Sequence, residues 1–206
     1  MIQFDLFTII VDPKDSSSPR YVNEDLTVMT AVKDGDFHPL LYMLNGKDPN
    51  YPNGLNPNYR FPPKDRTLLH LASYYGDPDK VRVLLAHGAD VNAVDIDGNN
   101  ALYLALNTPE QYHSHKILKM LRANGVNINH QNNKGWTVLH RACLLGEIRL
   151  VDLVLSFKPD VFKLTDTNKV SYQLATVRIL VLCLIERCTL CNIFFLKCNM
   201  ISEKFG

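Results

Sequence analysis

Residues 67–72 read TLLHLA, and the histidine inside this apolar run decides how the whole chain is understood. An imidazole there is a metal ligand, a general base, or a polar core group whose two nitrogens are satisfied by neighbours. Self-similarity along the chain bears on the choice. Aligning DRTLLHLASYYGDPDKVRVLLAHGADVNAVD, which begins at Asp65, with GWTVLHRACLLGEIRLVDLVLSFKPDVFK, which begins at Gly135, pairs Thr67 with Thr137, His70 with His140, Ala72 with Ala142 and Gly76 with Gly146. Between them, DGNNALYLAL puts Tyr103 33 positions after His70 and Asn100 in the place of the threonine. His140 follows Tyr103 by 37, so four residues are inserted, and the polar stretch NTPEQYHSHK is where the sequence places them. A degenerate copy, NKVSYQLA, sets Gln173 another 33 positions on, and an upstream copy, LTVMTAVKDGDFHPLLYML, keeps Ala31 and Gly35 at the same separation.

These residues resemble the ankyrin repeat family, whose unit of about 33 residues is a β-turn plus two helices with a T-P-L-H-x-A signature. TLLHLA followed by YYGD, VRVLL and HGADVNAVDIDG departs from that pattern mainly at Leu68, where the family has proline. The resemblance covers roughly residues 23–180, with units near 23–58, 62–94, 95–131 and 132–164 and a degenerate one at 165–180. It implies an all-α solenoid of stacked helix-turn-helix units with β-turn fingers. Residues 1–22 are expected to be strand-like or irregular, and residues 181–206 to be an apolar, cysteine-rich tail.

The residues support that architecture on physical grounds. Thr67, Asn100 and Thr137 each precede an apolar run and can cap a first helix by accepting backbone N–H bonds. Gly76 and Gly146 lie just past that helix, where a left-handed residue lets the chain reverse. Val81, Leu84 and Leu85, like Leu150, Leu153 and Val154, have the i, i+3, i+4 spacing of a buried stripe. Such stripes find cover only against a neighbouring unit. At the histidine's place the repeats carry His70, Tyr103, His140 and Gln173, which share only the capacity to hydrogen-bond. The expected role is therefore structural, a side chain bridging its own turn to the next repeat.

Composition excludes several other classes. With 206 residues, 46% of them hydrophobic and 21% charged, the chain has enough apolar material for one or at most two domains. Twenty-two basic against 21 acidic residues leave a formal charge of +1 without a basic block, so no nucleic-acid partner is expected. The start, MIQFDLFTIIVDPKD, lacks a basic leader and a small-residue cleavage site, which predicts no secretory signal. Five cysteines, an odd number crowded toward one end, point to a reducing compartment, the cytoplasm, with the nucleus left open.

Two clusters carry weak metal signals. His113 and His115 alternate in a way that would share one face of an extended loop, but no third ligand is assignable and a solvated loop joining two helices is the reading preferred. Cys183, Cys188, Cys191 and Cys198 contain one C-x-x-C pair without a second pair or a glycine-rich knuckle. In the same tail, residues 179–185 are apolar, but Glu186 and Arg187 interrupt them, so no membrane span is expected. The turn glycine fails to recur after NKVSYQLATV, which reads as a shortened cap, a docking surface or a truncated array.

Partners of this family are commonly bound by the turn tips and the inner face of the first helices. Carried onto this chain, the tips are Arg66, Ile96, Asp97, Asn99, Asn133, Lys134 and Trp136, and the helix positions are Tyr74, Tyr75, Asn107, Thr108, Leu144 and Leu145. Tyrosine, tryptophan and arginine are the types enriched at binding hot spots. An extra loop, NGKDPNYPNGLNPNYRFPP, is expected to form an elongated finger presenting Tyr51, Tyr59 and Phe61. The resulting expectation is a protein-binding adaptor or scaffold with no catalytic residue, no cofactor and no small-molecule ligand. Two alternatives remain: a piece of a multidomain signalling or ubiquitin-pathway protein, or a metal-binding protein using the tail cysteines.

Overall fold

Caps and glycines divide the chain into helix pairs, seen in a computed structural model that describes residues 27–33, 36–107 and 111–171. Gly35, Thr108, Gln173 and the tail with its four cysteines lie outside the described residues. The first pair is α1 (residues 27–33) and α2 (His38–Leu44). A short antiparallel ribbon, β1 (Arg60–Phe61) with β2 (Arg66–Thr67), leads into α3 (Leu68–Tyr75) and α4 (Pro78–Ala86). Next come α5 (Ala101–Leu104), continued by a 3-10 turn at Ala105–Asn107, and α6 (Gln111–Ala123). The last described pair is α7 (Val138–Leu145) and α8 (Ile148–Ser156).

Each first helix starts where a polar side chain leaves extended backbone. Asn100 Oδ1 accepts from the Tyr103 N–H at 3.0 Å, and Thr137 Oγ1 accepts from the His140 N–H at 3.3 Å. Thr67 precedes α3 with the same extended backbone. Gly76 and Gly146 end α3 and α7 with φ of +78° and +77°, which a side chain would strain. Asp77 caps α4, its Oδ1 accepting from the Asp79 and Lys80 N–H groups at 3.0 Å each, and Pro78 supplies the preset φ of a first helical turn.

The helices form two rows: α3 packs on α5 and α5 on α7, while α4 packs on α6 and α6 on α8. One continuous apolar core, from Val28 to Val154, runs between the rows. Val81, Leu84, Leu150, Val151 and Val154 are buried, whereas Leu85 and Leu153 sit at the margin. Burying each such aliphatic side chain contributes about 1.5–3 kcal/mol, and every unit draws this from its neighbours.

Loops are tied unit to unit as well. Asn58, Asn92 and Asn129 each accept from a backbone N–H of the next loop, at Asp90, Asn127 and Asp160, all at 2.7 Å. Finger tips pair likewise: the Ile96 N–H donates to Lys64 O, Asn133 to Asp97 O and Asp166 to Lys134 O, at 3.0–3.1 Å. Tips this close leave no room for a side chain at Gly98, where a Cβ would stand 2.8 Å from the Asn133 nitrogen.

Two expectations are corrected. His113 and His115 stand in helix, not loop: α6 has 13 residues against nine in α4 and α8, one turn more, which matches the four inserted residues. Residues two apart on a helix point to different sides, so the two rings do not share a face. The long loop is not a projecting finger either. Residues 46–53, GKDPNYPN, and 54–61, GLNPNYRF, are two versions of one octapeptide with four identical positions, and both make the same turn, Asn50 N–H to Asp48 Oδ1 and Asn58 N–H to Asn56 Oδ1. Only the second version enters the ladder. It has Leu55 and Phe61, both buried, where the first has Lys47 and Asn53. Phe61 therefore belongs to the core, with Tyr59 edge-on to its ring at 4.8 Å, and Tyr51 also packs partly against the core.

Candidate partner-binding face

Finger geometry is set by side chains that bond their own turn. Asp95 Oδ1 accepts from the Asp97 and Asn99 N–H groups, and Asn132 Oδ1 does the same for Lys134 and Trp136. The tips then present Ile96, 59% exposed, together with exposed Asp97, Asn133 and Lys134. Lys64 reaches Asp97 on the next tip at 3.0 Å. Asn99, counted from sequence among the presented tips, is buried: its amide donates to Asp95, and its carbonyl accepts from Asn132 at 2.9 Å. It joins two fingers instead of facing outward, because the turn curls its side chain under the tip.

On the first-helix face the structure brings Arg66, Tyr74 and Tyr75 together. The Arg66 guanidinium lies over the Tyr74 ring at 5.3 Å, with its Nε 3.3 Å from Asp95 Oδ2, and Tyr74 meets Tyr75 edge-on at 5.5 Å. Burial raises the Tyr75 hydroxyl pKa, so it stays a neutral donor. In the next units Asn107 Oδ1 accepts from Arg141 at 2.6 Å, beside an open cleft of about 180 Å³ that Leu106, Leu145 and Glu147 also line. Leu144 and Leu145 are 41% and 39% exposed. Trp136 is half-buried and leans toward His140, ring centroids 6.2 Å apart, so it lines the finger base.

Both repeat histidines are committed to the backbone. His70 Nδ1 accepts from the Thr67 N–H at 3.0 Å, leaving Nε2–H to donate to Ala93 O at 3.0 Å, in the stretch entering the next unit. His140 repeats this with the Thr137 N–H at 3.1 Å and Lys169 O at 3.3 Å. Burial, the dominant cause, pulls the His70 pKa down to about 4 and lowers that of His140. Among the described residues no group of three His, Cys, Asp or Glu side chains could hold a metal. Cys143 is buried, its thiol pushed up to about 12 by desolvation, which makes it unreactive at neutral pH.

One anchoring residue carried no signal in the sequence. Lys80 is fully buried between the first two units, its Nζ donating to Val32 O at 2.8 Å and pairing with Asp77 at 3.3 Å. Spacing marks it as the residue three after an N-cap, which describes many solvated lysines equally well. Arg141, in the slot that Leu71 fills in α3, was equally silent.

Residues 28–132, half the chain, match ankyrin repeats in three copies, and residues 110–155 match ankyrin repeats in many copies. Human inversin is 30% identical over 95 residues, 45% of this chain and 9% of that protein. The tyrosine-protein kinase HTK16 of Hydra vulgaris is 32% identical over 102 residues, 47% and 12% of the two chains. The ankyrin repeat protein YahD of Escherichia coli K12 is 33% identical over 90 residues, 44% and 43%. The chain thus spans about a tenth of inversin and of the kinase, and under half of YahD. Ankyrin arrays are generally protein–protein interaction modules and typically not enzymes, and no helix among the described residues is long and apolar enough to cross a membrane. With period, caps, finger ladder and sequence matches in agreement, the chain belongs to the ankyrin repeat family and folds as an all-α ankyrin solenoid.

Proposed function

We propose that the array is an adaptor or scaffold module, without catalysis of its own, that takes a polypeptide along its finger tips and first-helix face in the cytoplasm or nucleus. The observation that supports this most is the Arg66–Tyr74–Tyr75 cluster beside exposed Ile96, an aromatic and apolar surface with a polar edge. Such side chains remove large areas from water while keeping a hydrogen-bonding handle. Asp97, Asn133, Lys134, Asn107, Leu144 and Leu145 extend the surface along the stack. Quantitative affinity capture with the wild-type chain and with a Tyr74→Ala/Ile96→Ala variant tests the reading. A protein enriched by the wild type should fall about tenfold or more with the variant, and equal recovery of every captured protein would refute it.

A second reading, that the array is one part of a longer multidomain protein, draws on the small fractions of inversin and the Hydra kinase that the chain matches. An antibody to the array that detects only a species of 23.4 kDa in the native source would exclude it. For the tail cysteines, outside the described residues, zinc content of chain purified without added metal decides whether they bind it.

A further inference from the structure

The near-neutral total conceals an uneven distribution of charge. Residues 27–107 carry seven basic and nine acidic side chains, whereas residues 111–171 carry nine basic and four acidic. Five of the seven basic residues in the first group are matched: Arg60, Lys64, Arg66, Lys80 and Arg82 each pair with an aspartate. On α6, by contrast, Lys116, Lys119 and Arg122 are exposed, and none pairs with a carboxylate among the described residues. Their three-residue spacing keeps them on one side of the helix, opposite buried Ile117, Leu118 and Leu121. Arg149 follows Lys116 by one repeat period, so it holds the same place on α8, about 10 Å away at the spacing of packed helices. It too is exposed and has no carboxylate partner among the described residues.

We propose that this outer face of α6 and the start of α8 is a second docking surface, separate from the fingers, and that it takes a short acidic segment of a partner polypeptide. Charge complementarity names the ligand chemistry: four cations set roughly 5–10 Å apart, with one carboxylate, Asp152, beside them at Lys119's place on α8, against carboxylates that recur about every 6.6 Å on one side of an extended chain. The neighbouring surface favours peptide over membrane. Among the described residues, the large exposed hydrophobic side chains, Tyr42, Ile96, Leu144, Leu145, Phe162 and Leu164, all lie off α6 and α8, away from the cations. Lys116, Lys119 and Arg122 all lie within α6 and Arg149 within α8, so the cations are held at fixed heights.

The test is fluorescence anisotropy with the full chain and a labelled peptide carrying eight glutamates between Gly and Ser, at about 50 mM salt, where charge contacts are least screened. Binding should weaken as salt rises, and a peptide with glutamine in place of glutamate should not bind. Lys116→Glu/Lys119→Glu/Arg122→Glu should weaken the glutamate peptide about tenfold or more, and Lys119→Gln alone about two- to fivefold. Lys47→Glu, an exposed change off this face, should have no effect, and neither should Tyr74→Ala with Trp136→Ala, which alters only the finger side. Circular dichroism confirms folding, and if the triple variant fails to fold, Lys119→Gln decides. Equal binding by folded variants, equal binding of the glutamine peptide, or tighter binding of a DNA duplex or of phosphatidylserine vesicles would overturn the proposal.

Discussion

Residues 65–94 and 135–164 are one design written twice, seventy positions apart, and they differ most where the design is polar. Both copies open with Thr and His, close the first helix with a left-handed glycine, and bury the same face of the second helix. At the fourth position after that glycine, however, the earlier copy buries Lys80 and the later one buries Leu150. Asp77 caps α4 with its side chain, whereas Glu147 makes no such cap for α8. Asn92 carries the loop ladder forward, whereas Phe162 stands in its place, 45% exposed. The scaffold thus demands a long side chain at the buried position but not a particular chemistry. Polar bonds are added where a backbone carbonyl, a backbone N–H or a carboxylate, in the same unit or the next, stands in reach to meet them.

The largest test of that contrast substitutes the buried pair. Lys80→Ala should lower stability by about 2–4 kcal/mol, through lost packing plus an unmatched Asp77, a penalty reduced because Asp77 is partly exposed. Leu150→Ala should lose about 2–5 kcal/mol through its cavity alone. Lys80→Leu, which imitates the later copy, should recover at least half the loss in guanidinium unfolding. Full loss with leucine would show that the two positions are not equivalent.

Acid unfolding sharpens the comparison of the two histidines. Each is held neutral in the fold, so above the unfolded value near 6.5 both states are neutral and the contribution to stability is complete. As pH falls below 6.5 the unfolded chain takes up protons that the folded chain refuses, and stability declines until the folded His70 titrates near 4. That window corresponds to about 3 kcal/mol for His70. His70→Gln, able to accept and donate as the imidazole does, should flatten most of this slope in urea unfolding at stepped pH. His140→Gln should change the slope in the same direction. An unaltered slope in His70→Gln would remove His70 as the sensor.

The smallest effect concerns the loops. Asn92→Ala should lose about 1 kcal/mol, the worth of an exposed hydrogen bond to the Asn127 N–H, whereas Phe162→Ala should stay within about 0.5 kcal/mol. Hydrogen exchange at Asn127 reports the ladder directly, and protection unchanged in Asn92→Ala would break the contrast between ladder and terminus.

What the sequence determined by itself is local and periodic. Caps at Asn100 and Thr137, the glycines that end α3 and α7, and the apolar stripes follow from hydrogen bonding and left-handed backbone that a few neighbouring residues specify. Contacts between units were decided only in three dimensions. Whether Lys80 is solvated or buried depends on Val32, 48 residues away, and whether Asn99 faces a partner depends on Asn132 in the next finger. The octapeptide copies share half their positions and make the same turn, and burial, through Leu55 and Phe61, distinguishes the one that joins the stack. The physical reason is common to all three. A turn or cap is an interaction among residues within four positions, but burial and polar pairing belong to surfaces that exist only once one unit has docked on another.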